Sequence, residues 1–333
     1  MSTVLRGMPS ISAVARRLMP LACLMAVSAQ GASLPSSPPA TAVPAQIGPE
    51  YAIPTSPDRI GRLVARVMID GRGPYRFLVD SGANHTAIAA SLVSRLNLKL
   101  DEDARLIVHG IAGSLQAPTV VIGRLQSGAL RMRNLRLPVL NGPLMADIDG
   151  ILGIDGLADS SMTADFARDR LVIAGANGGV TGAEVSMPAH LISRHLFVID
   201  CEVGTVPVKA IIDTGSQRTL GNPALLAALL RKYPTSAASY ATSIFDATGT
   251  SQAGELHYIP SLRFGSLSMT SFYMTFGDFR VFHFWGLDRR PALILGMDVL
   301  GLFSQLTLDY RRSNFGVLPR PEMEIPSIQA LIQ

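Results

Sequence analysis

The chain has 333 residues, 48% of them hydrophobic and 16% charged, which is typical of an ordered globular protein long enough for two domains. Its 30 glycines and 22 prolines, with few aromatic residues, favour short strands and tight turns and argue against a helical bundle. The formal charge of +4 includes no basic stripe with interleaved aromatic residues, so no nucleic acid partner is expected.

Residues 1–29 have the layout of a secretory signal peptide. Three arginines precede the apolar run Leu18–Val27, and the small residues Ser28 and Ala29 follow it. A run of roughly 10 apolar residues is too short for a membrane span, which needs about 20. We therefore expect an exported protein, periplasmic or secreted, whose mature chain has no stable membrane span. Cleavage after Ala32, acylation of Cys23 as a lipoprotein and an uncleaved, membrane-anchored signal remain alternatives.

Signal cleavage changes the charge balance. It removes three of the 29 basic residues and no acidic one, leaving 26 basic against 25 acidic residues, so the mature chain is nearly neutral. Because Cys23 and Cys201 are the only cysteines, no disulfide framework is expected, and Cys201 is interpreted as a packed thiol in a strand. The six histidines lack the spacing of metal ligands, and we expect neither a metal nor another cofactor.

The first folded half begins after a Pro-, Ser- and Ala-rich segment, residues 30–57, that is typical of an extended linker. Leu63–Ile69 alternates as a strand, residues 70–74 form a turn, and Tyr75–Val79 returns as a second strand that ends at Asp80. A short helix is predicted next from the apolar face of Ile88, Leu92, Val93 and Leu96.

The second half repeats this order. Phe197–Val203 and Val206–Ile212 form a predicted hairpin that ends at Asp213, and Asn222 followed by Pro223 marks the capped start of a helix. In addition, Asp149–Leu157 is echoed by Ala292–Leu300. In this second pair Asp155 and Asp298 each follow Ile-Leu-Gly and one further apolar residue, and we expect them to cap the next short helix.

The spacing of these elements indicates an internal duplication. Asp80 precedes Gly153 by 73 positions, and Asp213 precedes Gly296 by 83 positions. The predicted organisation is a signal peptide, a linker, an N-terminal lobe, an interlobe linker, a C-terminal lobe and a tail: residues 1–29, 30–57, 58–178, 179–189, 190–320 and 321–333.

The two Asp-containing motifs carry the chemistry. An Asp-[Ser/Thr]-Gly triplet is expected by chance about 0.15 times in a chain of this length, and one copy alone would be interpreted as a turn. Here Asp80-Ser81-Gly82-Ala83 and Asp213-Thr214-Gly215-Ser216 both follow apolar strands and precede Ile-Leu-Gly at similar distances. The pattern resembles a single-chain, duplicated member of the retropepsin-like aspartic proteases and, more distantly, the two-lobed pepsin-like enzymes.

The resemblance implies a mostly β protein with short helices. It implies two β-barrel-like lobes related by pseudo-twofold symmetry, with each Ile-Leu-Gly strand threading behind a motif loop. Asp80 and Asp213 would meet at the symmetry axis, and Ser81 and Thr214 would hydrogen-bond across the lobe interface. Because both motifs belong to one chain, oligomerisation is not required to build the site.

Two carboxylates in contact suit peptide hydrolysis. They cannot both ionise cheaply, so they share a proton, and one acts as a base while the other acts as an acid. A water between them can lose a proton as it attacks a peptide carbonyl, without a nucleophilic side chain or metal. Gly82 and Gly215 would let the backbone approach the carboxylates and donate N–H groups to them.

A cover over the peptide is also expected. Gly110-Ile111-Ala112-Gly113 resembles the glycine-rich flap tip of retropepsins, and Asp246-Ala247-Thr248-Gly249-Thr250 lies at the corresponding place in the second half. Ordinary hairpin turns are the alternative interpretation. Peptide or protein substrates would bind in an extended conformation, hydrogen-bonded to the flap strands.

The leading hypothesis is therefore an exported aspartic endopeptidase with Asp80 and Asp213 as its catalytic pair. The first alternative is a non-catalytic retropepsin-like module that binds peptides or assembles an envelope complex. The second is a glycosidase, which would need carboxyl groups roughly 5–9 Å apart beside a sugar cleft.

Overall fold

The computed structural model describes residues 51–57, 62–128, 130–155, 157, 160–174, 185–192, 196–234 and 239–320. The predicted signal peptide (1–29), most of the predicted linker (30–50) and the predicted tail (321–333) lie outside these residues.

The first half of the chain contributes ten strands to the described structure: β1 (Tyr51–Pro57), β2 (Leu63–Ile69), β3 (Arg72–Val79), β4 (Ala87–Ala89), β5 (Leu100–His109), β6 (Ser114–Ser127), β7 (Leu130–Leu140), β8 (Gly150–Leu152), β9 (Ser161–Asp165) and β10 (Arg170–Ala174). Helix α1 (Ala90–Leu96) follows β4, and a 3-10 helix spans Pro143–Met145. The lateral order within the N-terminal lobe is β2-β3-β8-β4-β7-β6-β5. Because β6 also pairs with β2, the sheet closes on itself like a small barrel.

The second half contributes eleven strands: β11 (Val185–Pro188), β12 (His190–Ile192), β13 (Leu196–Val203), β14 (Val206–Ile212), β15 (Leu220–Gly221), β16 (Ser239–Phe245), β17 (Ser251–Phe264), β18 (Leu267–Phe276), β19 (Ala292–Leu295), β20 (Phe303–Asp309) and β21 (Asn314–Pro319). Its helices are α2 (Pro223–Lys232), α3 (Arg280–Phe284) and α4 (Met297–Leu300). The C-terminal lobe has the order β12-β13-β14-β19-β15-β18-β17-β16, and β17 pairs back to β13.

The two lobes share one topology. In the N-terminal lobe β3 runs parallel to β8, and β4 is antiparallel to β8 and parallel to β7. In the C-terminal lobe β14 runs parallel to β19, and β15 is antiparallel to β19 and parallel to β18. The predicted duplication and the predicted mostly β, two-lobed architecture are confirmed.

A sheet between the lobes carries the pseudo-twofold axis. Its strand order is β11-β21-β20-β9-β10-β1. The central antiparallel pair joins β9 of one half to β20 of the other, with Thr163 opposite Thr307. Their hydroxyl oxygens lie 2.9 Å apart, so residues at equivalent positions of the two halves meet at the symmetry axis.

Two predicted linker boundaries were wrong. Tyr51–Pro57, placed in the linker, forms β1, which pairs with β10 through residues 51–54 and with β2 through residues 55–57. Val185–Pro188, placed in the interlobe linker, forms β11 against β21. Both segments become strands because their backbone groups hydrogen-bond to open sheet edges. Local composition does not reveal such pairing.

The apolar core is continuous between the lobes. One cluster of buried side chains includes Phe77 from the N-terminal lobe, Met162 and Leu306 from the shared sheet, and Phe197 and Phe264 from the C-terminal lobe. Burial of this kind stabilises the lobes against each other by removing apolar surface from water. The two motif loops are therefore mounted on one packed body.

Within the part of the chain that the structure describes, no helix is both long and apolar enough to cross a membrane.

Candidate active site

Each motif aspartate lies at the end of a strand held by a threading strand. Asp80 follows β3, and its backbone N–H donates to the carbonyl of Leu152 at 3.1 Å. Asp213 follows β14, and its N–H donates to the carbonyl of Leu295 at 3.1 Å. Since β8 and β19 run parallel beside these strands, the apolar Ile-Leu-Gly segments fix where each carboxylate leaves the sheet.

The two motif loops are hydrogen-bonded to each other through a reciprocal set of bonds. The Thr214 hydroxyl accepts from the Ser81 N–H at 3.0 Å and donates to the Val79 carbonyl at 2.8 Å. The Ser81 hydroxyl accepts from the Thr214 N–H at 3.0 Å and donates to the Ile212 carbonyl at 2.9 Å. All four bonds are buried between the lobes, where an unmade hydrogen bond is costly. We call Ser81, Thr214 and these bonds the loop grip.

The two carboxyl groups lie in contact. The side chains of Asp80 and Asp213 lie within hydrogen-bonding reach of each other, an arrangement that suits two carboxyl groups sharing one proton. One oxygen of Asp80 accepts from the N–H groups of Gly82 at 2.8 Å and Ala83 at 3.0 Å. One oxygen of Asp213 accepts from Gly215 at 2.9 Å and Ser216 at 3.2 Å. This contact excludes the wider carboxyl separation that a glycosidase needs.

Each motif glycine faces the carboxylate of the opposite lobe. A Cβ atom at Gly82 would lie 2.8 Å from the Asp213 carboxylate, and one at Gly215 would lie 2.3–2.5 Å from the Asp80 carboxylate. Real Cβ atoms do not approach other atoms so closely. The glycines are therefore required by the close approach of the loops.

The electrostatics of the pair favour retention of one proton. Burial raises the pKa of both Asp80 and Asp213. The pKa of Asp213 lies well above its usual value, because burial is reinforced by the negative charge of Asp80 and by the hydrogen bond between them. For Asp80, the N–H groups of Gly82 and Ala83 and the positive charge of Arg62 oppose the effect of burial.

Two hairpin tips from different lobes meet each other. We call residues 110–113, between β5 and β6, the N-terminal tip, and residues 246–250, between β16 and β17, the C-terminal tip. The Asp246 carboxylate accepts from the N–H groups of Ala112 at 2.9 Å and Gly113 at 3.2 Å. The candidate flap residues are thus brought together: Gly110, Ile111, Ala112 and Gly113 on one tip, and Thr248 and Gly249 on the other.

Each tip also packs on the opposite lobe. Ile111 packs against the apolar cluster of the C-terminal lobe, and its carbonyl accepts from the Val281 N–H at 3.3 Å. Ala247 packs against the apolar cluster of the N-terminal lobe. This exchange repeats the pseudo-twofold relation of the loop grip.

Comparison with known proteins agrees with this geometry. The sequence profile of a family described as aspartyl protease matches residues 65–155 and 199–299, more than half of the chain, and each match contains one motif aspartate. The chain belongs to the aspartyl protease family. A search of curated proteins finds no match.

In this aspartyl protease family member, Asp155 and Asp298 hold the motif loops. The Asp155 carboxylate accepts from the Thr86 N–H at 2.9 Å and from its hydroxyl at 2.7 Å. Asp298 makes the same two bonds to Thr219, at 2.8 and 2.7 Å. The expectation that Asp298 caps the next helix was wrong, since Asp298 lies within α4 and the N-cap residue of α4, Gly296, makes no side-chain hydrogen bond. The same expectation for Asp155 falls on a segment that lies partly outside the described residues. The sequence repeat suggested equivalent roles but could not identify the threonine partners.

Two residues near the site were missed by sequence reasoning: Arg62 and Tyr310. Arg62 is buried and its charge acts on Asp80, while burial and the charge of Asp80 raise the pKa of the Tyr310 phenol. Asp246 lay within the predicted second flap, residues 246–250, but the sequence did not indicate that its side chain contacts the first flap. Its bonds to the other lobe depend on the tertiary fold.

Other reactive groups are absent from the site as far as the structure describes it. Among the described residues, no three His, Cys, Asp or Glu side chains are grouped so as to hold a metal ion. Cys201 is buried in β13, and burial, followed by the charge of Asp200, raises the pKa of its thiol. A thiol of this kind is a poor nucleophile at neutral pH.

Proposed function

We propose that the protein is an aspartic endopeptidase that hydrolyses peptide bonds with water activated between Asp80 and Asp213. The observation that carries the proposal is the mutual hydrogen bond of the two carboxyl groups, at the centre of a reciprocal loop grip. Membership of the aspartyl protease family supports the same class of reaction.

The reaction follows from a pair that holds one proton. The ionised carboxylate takes a proton from a water molecule as the water oxygen attacks the carbonyl carbon of the peptide bond. The protonated carboxyl donates its proton to the carbonyl oxygen, which gives a neutral tetrahedral diol. The diol then breaks its C–N bond as the proton taken from water passes to the leaving nitrogen. One diol hydroxyl returns its proton to the carboxylate that acted as the acid while the carbonyl re-forms, so the products are a carboxylic acid and an amine and the pair regains its starting state.

The surroundings of the two aspartates differ in a way that supports Asp80 as the base. Val64 pairs with Leu78, so Arg62 occupies the position opposite Asp80 when this register is continued. Val198 pairs with Ile211, and the same continuation places Leu196 opposite Asp213. The other groups near the pair are the neutral phenol of Tyr310 and, behind the motif loops, Asp155 and Asp298 with their threonine partners. Because the cation lies beside Asp80, Asp80 is the ionised base and Asp213 the acid.

Peptide substrates would lie between the pair and the two hairpin tips in an extended conformation. The pair is accessible from one side, since Asp80 is only half-buried whereas Asp213 is buried. An extended peptide offers a row of backbone donors and acceptors to the flap strands. Exclusion of water by the tips would strengthen the hydrogen bonds made during the reaction.

A peptide-library assay tests the proposal. The purified protein is incubated with a diverse library between acidic and neutral pH, and the products are identified by mass spectrometry. We expect cleavage that a pepstatin-type inhibitor blocks and that Asp80→Asn or Asp213→Asn abolishes. A folded protein that binds library peptides at every pH without cleaving them would instead support the non-catalytic module.

We also propose that the enzyme acts after export, in the periplasm or as a secreted protein. The support is the arrangement of arginines, apolar run and small residues in residues 1–29. Intact-mass analysis of the exported protein should give a chain that begins at Gln30. A full-length chain retained in the cytoplasm would contradict export.

A further inference from the structure

One buried carboxylate makes hydrogen bonds that join the two hairpin tips. Asp246 is only 2% exposed, and its two oxygens have separate tasks. One oxygen accepts from the Thr248 N–H at 2.9 Å, the Thr248 hydroxyl at 2.6 Å and the Thr250 N–H at 3.1 Å. The other oxygen reaches across to the Ala112 and Gly113 N–H groups. The carboxylate is therefore fully hydrogen-bonded only when the two tips are together.

The position that matches Asp246 in the other lobe is a glycine, and the two residues touch. The Gly110 N–H donates to the Gly113 carbonyl across the N-terminal tip. The Asp246 N–H donates to the Thr250 carbonyl in the same way across the C-terminal tip. A Cβ atom at Gly110 would lie 2.2 Å from an Asp246 oxygen. The missing side chain on one tip thus makes room for the carboxylate of the other.

The tips lie on the same symmetry axis as the aspartate pair. The axis passes between Thr163 and Thr307 in the shared sheet and between Ser81 and Thr214 in the loop grip. It also passes between the tips, because each tip packs on the opposite lobe. A contact that joins the tips therefore lies on the pseudo-twofold axis that also passes between the two motif loops.

We propose that Asp246 is a positioning residue that joins both tips into one cover over Asp80 and Asp213. This inference rests on the proposed peptidase function for its catalytic consequence, but the closed contact itself can be measured without substrate. The cover must part for a peptide to enter and re-forms through Asp246 once the peptide lies below it. Asp246 touches no reacting atom and acts by fixing the backbone of Ala112 and Gly113.

The first test replaces the carboxylate without changing its size. Asn has only one side-chain oxygen, so in Asp246→Asn its NH2 group must face N–H donors either on the N-terminal tip or on the C-terminal tip. The hydrogen bonds to one of the two tips are therefore lost. We expect hydrogen–deuterium exchange of the segment containing Ala112 and Gly113 to become at least about tenfold faster. The matched control is Asp200→Asn, an exposed acidic residue of β13 paired with Lys209, which should leave this exchange unchanged.

The kinetic readout separates positioning from chemistry. Loss of a cover that binds ground state and transition state alike raises KM more than it lowers kcat. We therefore expect KM to increase about tenfold in Asp246→Asn, with the pH profile of kcat unchanged. Unaltered exchange at the tips would overturn the proposal, as would a fall in kcat with a displaced pH profile, which would place Asp246 in the acid–base chemistry.

A second variant reaches the same contact from the other side. Gly110→Ala leaves Asp246 intact but places a methyl group against its carboxylate. We expect the same faster hydrogen–deuterium exchange and the same rise in KM. The double variant Gly110→Ala, Asp246→Asn should show an exchange rate and a KM no higher than those of either single variant. Additive effects in the double variant would contradict a shared contact. If the wild-type protein cleaves no peptide, the proposed function fails, while the exchange data still decide whether Asp246 joins the tips.

Discussion

The two lobes have the same topology but differ at the residues that approach the symmetry axis. The loop grip, the threading strands and the Thr–Asp pairs occur in both halves with nearly equal distances. Arg62 has Leu196 as its counterpart, and Asp246 has Gly110. The features present in both lobes position the two aspartates. The residues that differ place a cation beside Asp80 in one lobe and a carboxylate between the hairpin tips in the other.

The motif glycines provide the strongest test of the equivalent features. Gly215→Ala would push a methyl group to within 2.5 Å of the Asp80 carboxylate, so the carboxyl groups must separate. We expect peptide hydrolysis to fall by at least about 10²-fold, because acid–base catalysis of that size depends on geometry. In Gly82→Ala the added methyl group would lie 2.8 Å from the Asp213 carboxylate, so peptide hydrolysis should fall less than in Gly215→Ala. Equal activity of Gly215→Ala and the wild type would show that the loops can move apart without cost.

The loop grip tests whether the halves contribute equally to stability. Thr214→Val removes a buried hydroxyl and leaves the Ser81 N–H and the Val79 carbonyl without their partner. We expect the free energy of unfolding to fall by about 3 kcal/mol. Ser81→Ala leaves the Thr214 N–H and the Ile212 carbonyl without their partner, and the free energy of unfolding should fall by a similar amount. Urea unfolding measures both, and a large effect of only one variant would contradict a symmetric grip.

The helices that follow the motif loops provide a contrast. Asn222 caps α2 by accepting from the Leu225 N–H at 2.8 Å, and its amide donates to the carbonyls of Leu287 and Arg290 at 2.7 Å. Ala89 before α1 makes no such bond. We expect Asn222→Ala to cost about 2 kcal/mol of unfolding free energy. Ala89→Ser at the matching position serves as the control and should change it by under about 1 kcal/mol.

The smallest expected effect concerns the charge beside Asp80. Arg62→Leu gives the N-terminal lobe the residue type found at Leu196. Removing the cation raises the pKa of Asp80 further, and the ionised base then appears only at higher pH. We expect the acidic limb of the kcat/KM profile to move upward by under about one pH unit. A downward shift would contradict Asp80 as the base. Leu196→Met, which changes no charge, is the control, and the acidic limb of its kcat/KM profile should stay at the wild-type pH.

The sequence predicted the parts of the site that repeat within the chain. Asp80 and Asp213, their glycines and the threading Ile-Leu-Gly strands could be found because each motif occurs twice in the same order. The capped start of α2 at Asn222 was also predicted, since it depends on local hydrogen bonding.

The missed features depend on partners distant in the sequence. The Asp246 contact joins residues 134 positions apart, and the Thr86–Asp155 contact joins residues 69 positions apart. The position of Arg62 opposite Asp80 depends on the register of β2 against β3. The pairing of Tyr51–Pro57 likewise depends on which strand edges remain open. No local pattern of apolar residues encodes such contacts.

The most direct test of the account is peptide hydrolysis by the double variant Asp80→Asn, Asp213→Asn. The amides keep the size of the carboxyl groups, so the variant should unfold in a single transition with its loop grip intact. We predict that it cleaves no member of a library that the wild-type protein cleaves, at any pH between acidic and neutral. Undiminished cleavage by the folded double variant would contradict the central role of Asp80 and Asp213.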